Sequence, residues 1–243
     1  MRISRIYHPH DLTLNSETEL SADASHHLGR VLRAQSGQSI ILFNGDGFEY
    51  QAELTEVSKK RVCAYISDKV ENISESSLKL HLGQVISRGD RMDFTIQKSV
   101  ELGVTEITPL ISERCGVKLN AERMSKKVEQ WQKIAIAACE QSGRSFVPTI
   151  NPVVDLSEWL AADFDGVRVN LHPYAKHGIA GLTLNNHQAQ LLIGPEGGLS
   201  DEEISQAREF NFVDVLMGPR VLRTETAGLA AIALLQSYFG DLG

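Results

Sequence analysis

The stretch Leu191-Leu192-Ile193-Gly194-Pro195-Glu196-Gly197-Gly198-Leu199-Ser200 decides the fold. A short apolar run, readable as a buried strand, stops at Gly-Pro and flows into a helix-start signal. The run Met217-Gly218-Pro219-Arg220-Val221-Leu222-Arg223-Thr224-Glu225-Thr226 repeats that design. Two strand-to-loop switches of one kind, close together in sequence, point to one pocket built from neighbouring loops. Open α/β sheets place ligands at such carboxyl ends of strands.

Strands and helices alternate around these loops. Leu78 to Ile86 reads as a strand, Asp90 to Leu102 as a helix closed by Gly103, and Ile107 to Ile111 as a strand. Pro109 inside that last run marks a sheet edge or an irregular strand end, because proline donates nothing to the ladder. Glu122 to Gln141 carries an apolar stripe through Val128, Trp131, Ala135 and Ala138, as an amphipathic helix does. Val167 to Leu171, Leu191 to Gly194 and Val213 to Gly218 are further strands. Ser200 and Glu203 form a capping box. The run from Glu225 to Phe239 is apolar nearly all round, which predicts a buried helix. Repeated β-then-α order predicts a parallel sheet with helices on its faces.

The first 70 or so residues follow another pattern. Ser39 to Phe43 is β-branched and apolar, Asn44-Gly45-Asp46-Gly47 is turn chemistry, and the next run sets Tyr50, Ala52 and Leu54 against Gln51, Glu53 and Thr55. Val62, Ala64 and Ile66 alternate again. Short strands this close predict a small barrel, with a helix from Ala24 to Leu32. The Ser-rich segment 71–77 reads as a linker. The expected organisation is therefore a β-barrel over 1–70, a linker over 71–77 and an α/β domain over 78–243.

The charge distribution matters more than its total of −7. Residues 1–150 hold 19 Lys+Arg against 19 Asp+Glu, while 151–243 hold 5 against 12 and supply the whole excess. Basic clusters in the neutral part can contact phosphate whatever the bulk charge. No apolar run approaches the roughly 20 residues that cross a bilayer, and the N-terminus lacks a signal-peptide core. Cys63, Cys115 and Cys139 are odd in number and far apart, so neither a disulfide framework nor a zinc site is expected and a reducing cytoplasm is the natural setting. His26-His27 lack further ligands at metal spacing, so no metal is expected.

The glycines of the 194–198 loop let a ligand lie against the main chain. The Lys-Ser/Thr of a P-loop is missing and Glu196 repels phosphate, so a neutral or cationic ligand read by backbone groups fits better. In the second loop, Thr224 as N-cap with Glu225 behind it is ordinary helix chemistry. Arg223 is not, because a cation at a helix N-terminus opposes the dipole; an anion or a polar base edge accounts for it. A nucleotide-phosphate enzyme would place a lysine beside the glycines. A non-catalytic RNA-binding or ribosome-assembly factor would need the barrel and the basic clusters but not the paired loops.

With these residues in view, the chain resembles the 16S ribosomal RNA uridine N3-methyltransferases of the SPOUT superfamily over essentially its whole length. The likeness rests on Arg2 to Tyr7, His27 to Arg33, Gly83 to Val85, Gln97 to Gly103, Ser112 to Cys115, Ala138 to Arg144, Ile193 to Gly198 and Gly218 to Ala227. Gly228 departs from the pattern, since a bulkier residue is expected in that helix. The resemblance implies a PUA-like N-terminal barrel, a parallel sheet with a deep trefoil knot, and a homodimer acting on 16S rRNA in the 30S subunit. It implies S-adenosylmethionine held by Leu171, His172, Gly194, Pro195, Glu196, Gly197, Gly198, Met217, Gly218, Leu222, Arg223, Thr224, Thr226 and Ala227. Arg223 and Glu225 are the implied catalytic pair, Arg223 stabilising charge on the uracil carbonyls. The phosphate contacts expected alongside are Arg5, Arg30, Arg33, Lys60, Arg88, Arg91 and Arg114.

Overall fold

A computed structural model describes residues 3–58, 61–117, 120–184 and 186–243. The chain divides into two compact units, Met1–Glu75 with Cys139–Val147, and Ser76–Ala138 with Pro148–Gly243.

The first unit is a five-stranded sheet. Its strands are β1 (Ser4–Tyr7), β2 (Ser16–Glu19), β3 (Ser39–Phe43), β4 (Phe48–Val57) and β5 (Val62–Glu71), ordered β1-β3-β4-β5-β2. All pairs are antiparallel except β1 with β3. The alternation expected in β4 and β5 is realised: Tyr50, Ala52, Leu54, Val62, Ala64 and Ile66 all enter one core with Ile6, Leu28, Ile40 and Leu42. Helix α1 is shorter than its pattern suggested. It spans Ala22–His26, capped by the Ser21 hydroxyl, which accepts from Ala24 N at 3.2 Å, and it relaxes into a π turn over His27–Val31. Residues 139–147 belong to this unit through specific bonds. Glu140 accepts from the Tyr7 N–H at 3.0 Å, and Arg144 pairs with Glu75 at 2.7 Å.

The second unit is built on a wholly parallel sheet. Its strands are β6 (Lys79–Val85), β7 (Glu106–Ile111), β8 (Thr149–Ile150), β9 (Val154–Asp155), β10 (Val167–Leu171), β11 (Gln188–Ile193) and β12 (Phe212–Val215). The order is β12-β10-β11-β6-β7-β8, with β9 also on β7. Helices α2 (Arg91–Glu101), α3 (Ala121–Ser142), α4 (Leu156–Ala161), α5 (Asp201–Glu209) and α6 (Thr224–Phe239) alternate with the strands. Strand alternation divides the sheet into two faces. One face presents Val85, Leu110 and Leu192, which pack with Trp159 and Leu160 of α4, Ala207 of α5, and Phe212. Gly83 lies on that face because the Trp159 indole covers it: a Cβ there would stand 2.3 Å from the ring.

Pro109 sits within the sheet rather than at its edge, opposite Gln84 of β6. Its other flank is where the ladder is broken, since β8 pairs only Glu106 and Ile107 while β9 pairs Leu110 and Ile111. The missing N–H falls in that gap. Helix α6 is only partly buried. Ala231, Ile232 and Leu235 are enclosed, but Leu234 and Tyr238 are 39% and 55% exposed. The all-round apolar pattern therefore overstated its burial, and one strip faces outward. Among the described residues no helix is long and apolar enough to cross a membrane, and no group of His, Cys, Asp and Glu is arranged to hold a metal.

Candidate active site

Because β10, β11 and β12 are parallel neighbours, the loops that follow them leave from one edge. The two Gly-Pro loops meet there. The Thr224 hydroxyl, at the first residue of α6, donates to the Gly194 carbonyl at 2.7 Å and accepts from Gln84 Nε2 at 3.0 Å. Thr224 is thus not the N-cap. That position falls to Arg223, which makes no side-chain cap bond, because the threonine hydroxyl is committed to the opposite loop. Beyond the first loop the capping box is present, with Ser200 N donating to Glu203 Oε2 at 2.9 Å and Glu203 N to Ser200 Oγ at 3.3 Å. In the second loop Gly218 takes φ +73°, a left-handed conformation that L side chains resist.

A cavity of about 580 Å³ opens between these loops, lined by Leu171, His172, Gly194, Pro195, Glu196, Gly198, Leu222, Arg223, Thr224, Glu225 and Ala227. Of the residues expected to hold a cofactor, Gly197, Met217, Gly218 and Thr226 do not line it; Thr226 is exposed on α6. The sequence reading missed Tyr174, Ile204 and Val221, which also form its walls. Only their nearness to the Gly-Pro loops and to His172 marked them, since isolated apolar residues carry no chemical signature.

A second cavity, about 960 Å³, gathers Arg88, Arg91 and Arg114 with Phe94, Gly197 and Gly116. Arg91, Glu196 and Glu225 line both cavities and so form the partition between them. Arg91 Nη1 lies 3.0 Å from Glu196 Oε1, and its Nε lies 3.9 Å from Glu225 Oε1. Burial works against ionisation of Glu196, but hydrogen bonds from its own N–H, the Arg88 N–H and the Arg91 guanidinium outweigh it. They hold the carboxyl below its usual range. Glu225 Oε2 is buried and finds no hydrogen-bond partner among the described residues. Arg114 braces the first loop, donating to the carbonyls of Gly197 and Leu199 at 3.3 Å each.

The remaining basic residues lie in the first unit. Arg30 and Arg33 line a groove of about 620 Å³ with His26 and Gln35. Arg5 is turned inward, ion-paired with Glu49, its guanidinium 5.1 Å from the Phe43 ring centroid, and donating to Arg144 O at 3.0 Å. Its charge is spent within the unit. Lys60 lies outside the described residues.

The RNA methyltransferase domain model matches residues 74–236, and the RNA methyltransferase PUA domain matches residues 20–66. The ribosomal RNA small subunit methyltransferase E of Buchnera aphidicola (from Acyrthosiphon pisum) is 36% identical over 241 residues, 99% of this chain and 95% of the relative. The Bacillus subtilis protein of that name is 34% identical, covering 92% and 90%. The chain belongs to the ribosomal RNA small subunit methyltransferase E family. The Neisseria gonorrhoeae member, crystallised bound to S-adenosylmethionine, shares 40% identity and superposes with a TM-score of 0.94 over 100% of both chains. In this member of the family the two cavities differ in character. The first joins apolar walls to the carboxylates of Glu196 and Glu225 and the guanidinium groups of Arg91 and Arg223, the mixed lining of a small-molecule site. The second offers three guanidinium groups, which suit a phosphate backbone.

Proposed function

We propose that the protein methylates small-subunit ribosomal RNA with S-adenosylmethionine, at N3 of a uridine in the decoding region of the 30S subunit. The observation that carries this reading is the shared partition. A ligand cavity and a basic cleft adjoin through two carboxylates and one guanidinium, where a group can pass from one to the other.

The residues of the first cavity fit the cofactor. Its volume of about 580 Å³ falls within the roughly 300–1,000 Å³ of small-molecule sites. Leu171, Ile193 and Leu222 supply apolar walls, the 194–198 loop supplies main-chain groups, and Glu196 and Glu225 supply carboxylates that would suit a positive sulfonium. S-adenosylmethionine contributes an activated methyl group; positioning and proton handling fall to the protein.

A uridine N3 is a poor nucleophile until its proton leaves. Glu225, whose Oε2 is buried without a hydrogen-bond partner among the described residues and which lines the partition, takes that proton in this reading. Arg223 lines the first cavity and is exposed, free to stabilise charge spreading onto the flanking carbonyl oxygens. Arg91 lies against both carboxylates and offsets their mutual repulsion. Arg88, Arg91 and Arg114 in the cleft, and Arg30 and Arg33 in the groove of the first unit, bind backbone phosphates. In this reading residues 1–70, with 139–147 belonging to the same unit, form an RNA-binding unit joined by 71–77 to a catalytic domain made of the rest of 78–243. The reading includes a trefoil knot in the catalytic domain and a homodimer, for which the outward apolar strip of α6 offers a face. A cytoplasmic location follows from the substrate.

The test is incubation of 30S subunits lacking the modification with S-adenosylmethionine and the protein, then mapping of the modified base. A single N3-methyluridine in 16S rRNA is the expected product. Methylation of another base, or none on 30S subunits, refutes the assignment.

A further inference from the structure

At the opposite, amino-terminal edge of the same sheet lies a cavity of about 440 Å³ that methyl transfer does not use. Register partners His81 of β6, Glu106 of β7 and Gln190 of β11 project on one face there, and Trp159 and Phe164 wall it. We propose that this cavity binds a small ammonium compound carrying a neutral oxygen beside its charge, such as an amino alcohol or amino sugar.

Two buried polar atoms argue for a ligand. Gln190 is 2% exposed and Trp159 5% exposed. Neither Gln190 Oε1 nor Trp159 Nε1 has a hydrogen-bond partner among the described residues. Leaving such groups unpaired costs about 1–3 kcal/mol each, and two of them belong to residues that line this one cavity. One is an acceptor and wants a donor; the other is a donor and wants an oxygen.

The surrounding groups fix the charge. Glu106, Glu158 and Asp163 line the cavity, the last two exposed. Burial holds the His81 imidazole below its ordinary range, against the pull of Glu106, so it brings no compensating charge near neutral pH. Its Nε2 is engaged by Thr108 Oγ1 at 2.8 Å. Asn151 Nδ2 donates to Glu106 Oε1 at 2.6 Å and to Thr108 Oγ1 at 2.8 Å. Arg168, a cation on the same face, donates to the carbonyls of Leu160 at 3.0 Å, Phe210 at 3.1 Å and Ala162 at 2.5 Å and lies 6.0 Å from the Phe164 ring centroid; its charge offsets part of that of Asp163 and leaves Glu106 and Glu158 in excess. The aromatic walls favour a cation further, and the carboxylates exclude nucleic-acid phosphate. An ammonium donating to Gln190, with its neighbouring oxygen accepting from Trp159, satisfies both orphaned atoms.

The chain has two tryptophans, so two indole N–H resonances are expected in a ¹H–¹⁵N spectrum of the full-length protein. W159F identifies the one concerned. Titration with glucosamine at mildly acid pH, where its amine is protonated, should shift the Trp159 signal saturably. N-acetylglucosamine, which lacks the charge, and cyclohexylamine, which lacks the oxygens, should each bind at least tenfold more weakly. The double variant E158Q/D163N, altered only at exposed positions, should weaken glucosamine at least tenfold with its remaining spectrum unchanged. Absence of saturable binding by wild type overturns the proposal, as does equal binding of either control or unchanged affinity in the double variant.

Discussion

Replacing Thr224 by valine tests how the two loops are held together. The side chain keeps its shape but loses the hydroxyl that donates to Gly194 O at 2.7 Å and accepts from Gln84 Nε2 at 3.0 Å. Gln84 Nε2 retains the Val85 carbonyl at 2.9 Å, so the greater loss falls on Gly194. Thr224 is 6% exposed, and water replaces the lost donor poorly. Two hydrogen bonds at about 1 kcal/mol each, with an unsatisfied acceptor at about 1–3 kcal/mol, give a cost of about 3–5 kcal/mol. For a domain of this size that lowers Tm by roughly 6–20 °C. T224S keeps the hydroxyl and sacrifices one methyl group, about 0.8 kcal/mol. Scanning calorimetry of the three proteins reads the stability term. Isothermal titration with S-adenosylmethionine reads the pocket, whose loops part once the tie is gone, and at least a tenfold weaker Kd is expected for T224V alone. If T224V and T224S melt together and bind the cofactor equally, the hydroxyl does not join the loops and the reasoning fails.

Three further outcomes are expected. E225Q should lower kcat by about 10²–10⁴-fold and R223A by about 10²–10³-fold, with cofactor Kd within a few-fold of wild type; single-turnover methylation beside direct binding checks this, and wild-type rates would remove both roles. G228A should raise Tm, because a Cβ there meets Gln84 Oε1 at 3.5 Å and Ile193 Cγ1 at 3.6 Å, ordinary contacts; the gain in helix propensity is about 1 kcal/mol, visible as a few degrees in calorimetry. Acid should destabilise through His81, whose imidazole burial holds below its ordinary 6.5 despite Glu106. The unfolded chain takes up a proton there that the folded chain refuses, so stability is full above that pH and falls beneath it. H81Q should flatten the decline of Tm between about pH 7.5 and 5.5, and an unchanged slope would count against it.

The apolar periodicities made most elements legible. Val167–Leu171 and the start and end of α3 lie at or within one residue of the sequence reading. What escaped it were the shortest elements. Strands β8 and β9 have two residues each and α4 has six, too few for any period to declare itself. Pro109 misled for a related reason: its tolerance depends on a break between two other strands, which local sequence cannot show. Arg5 reads as a basic residue like Arg30 or Arg33, yet its use by Glu49 depends on a neighbour 44 positions away.

By itself the sequence showed two Gly-Pro loops following strands of a parallel sheet, favoured a neutral or cationic ligand over a phosphate, and marked Arg223 and Glu225 in the second loop as candidates. Those conclusions rest on residue chemistry and on backbone preferences that act within a few positions. Only the tertiary structure decided which charged groups meet. Arg91, Glu196 and Glu225 are distant in the chain, and it is the order of strands in the sheet that makes them a single wall between two cavities. The same holds for the polar cavity under Trp159, assembled from side chains of four strands and loops whose contacts no local pattern records.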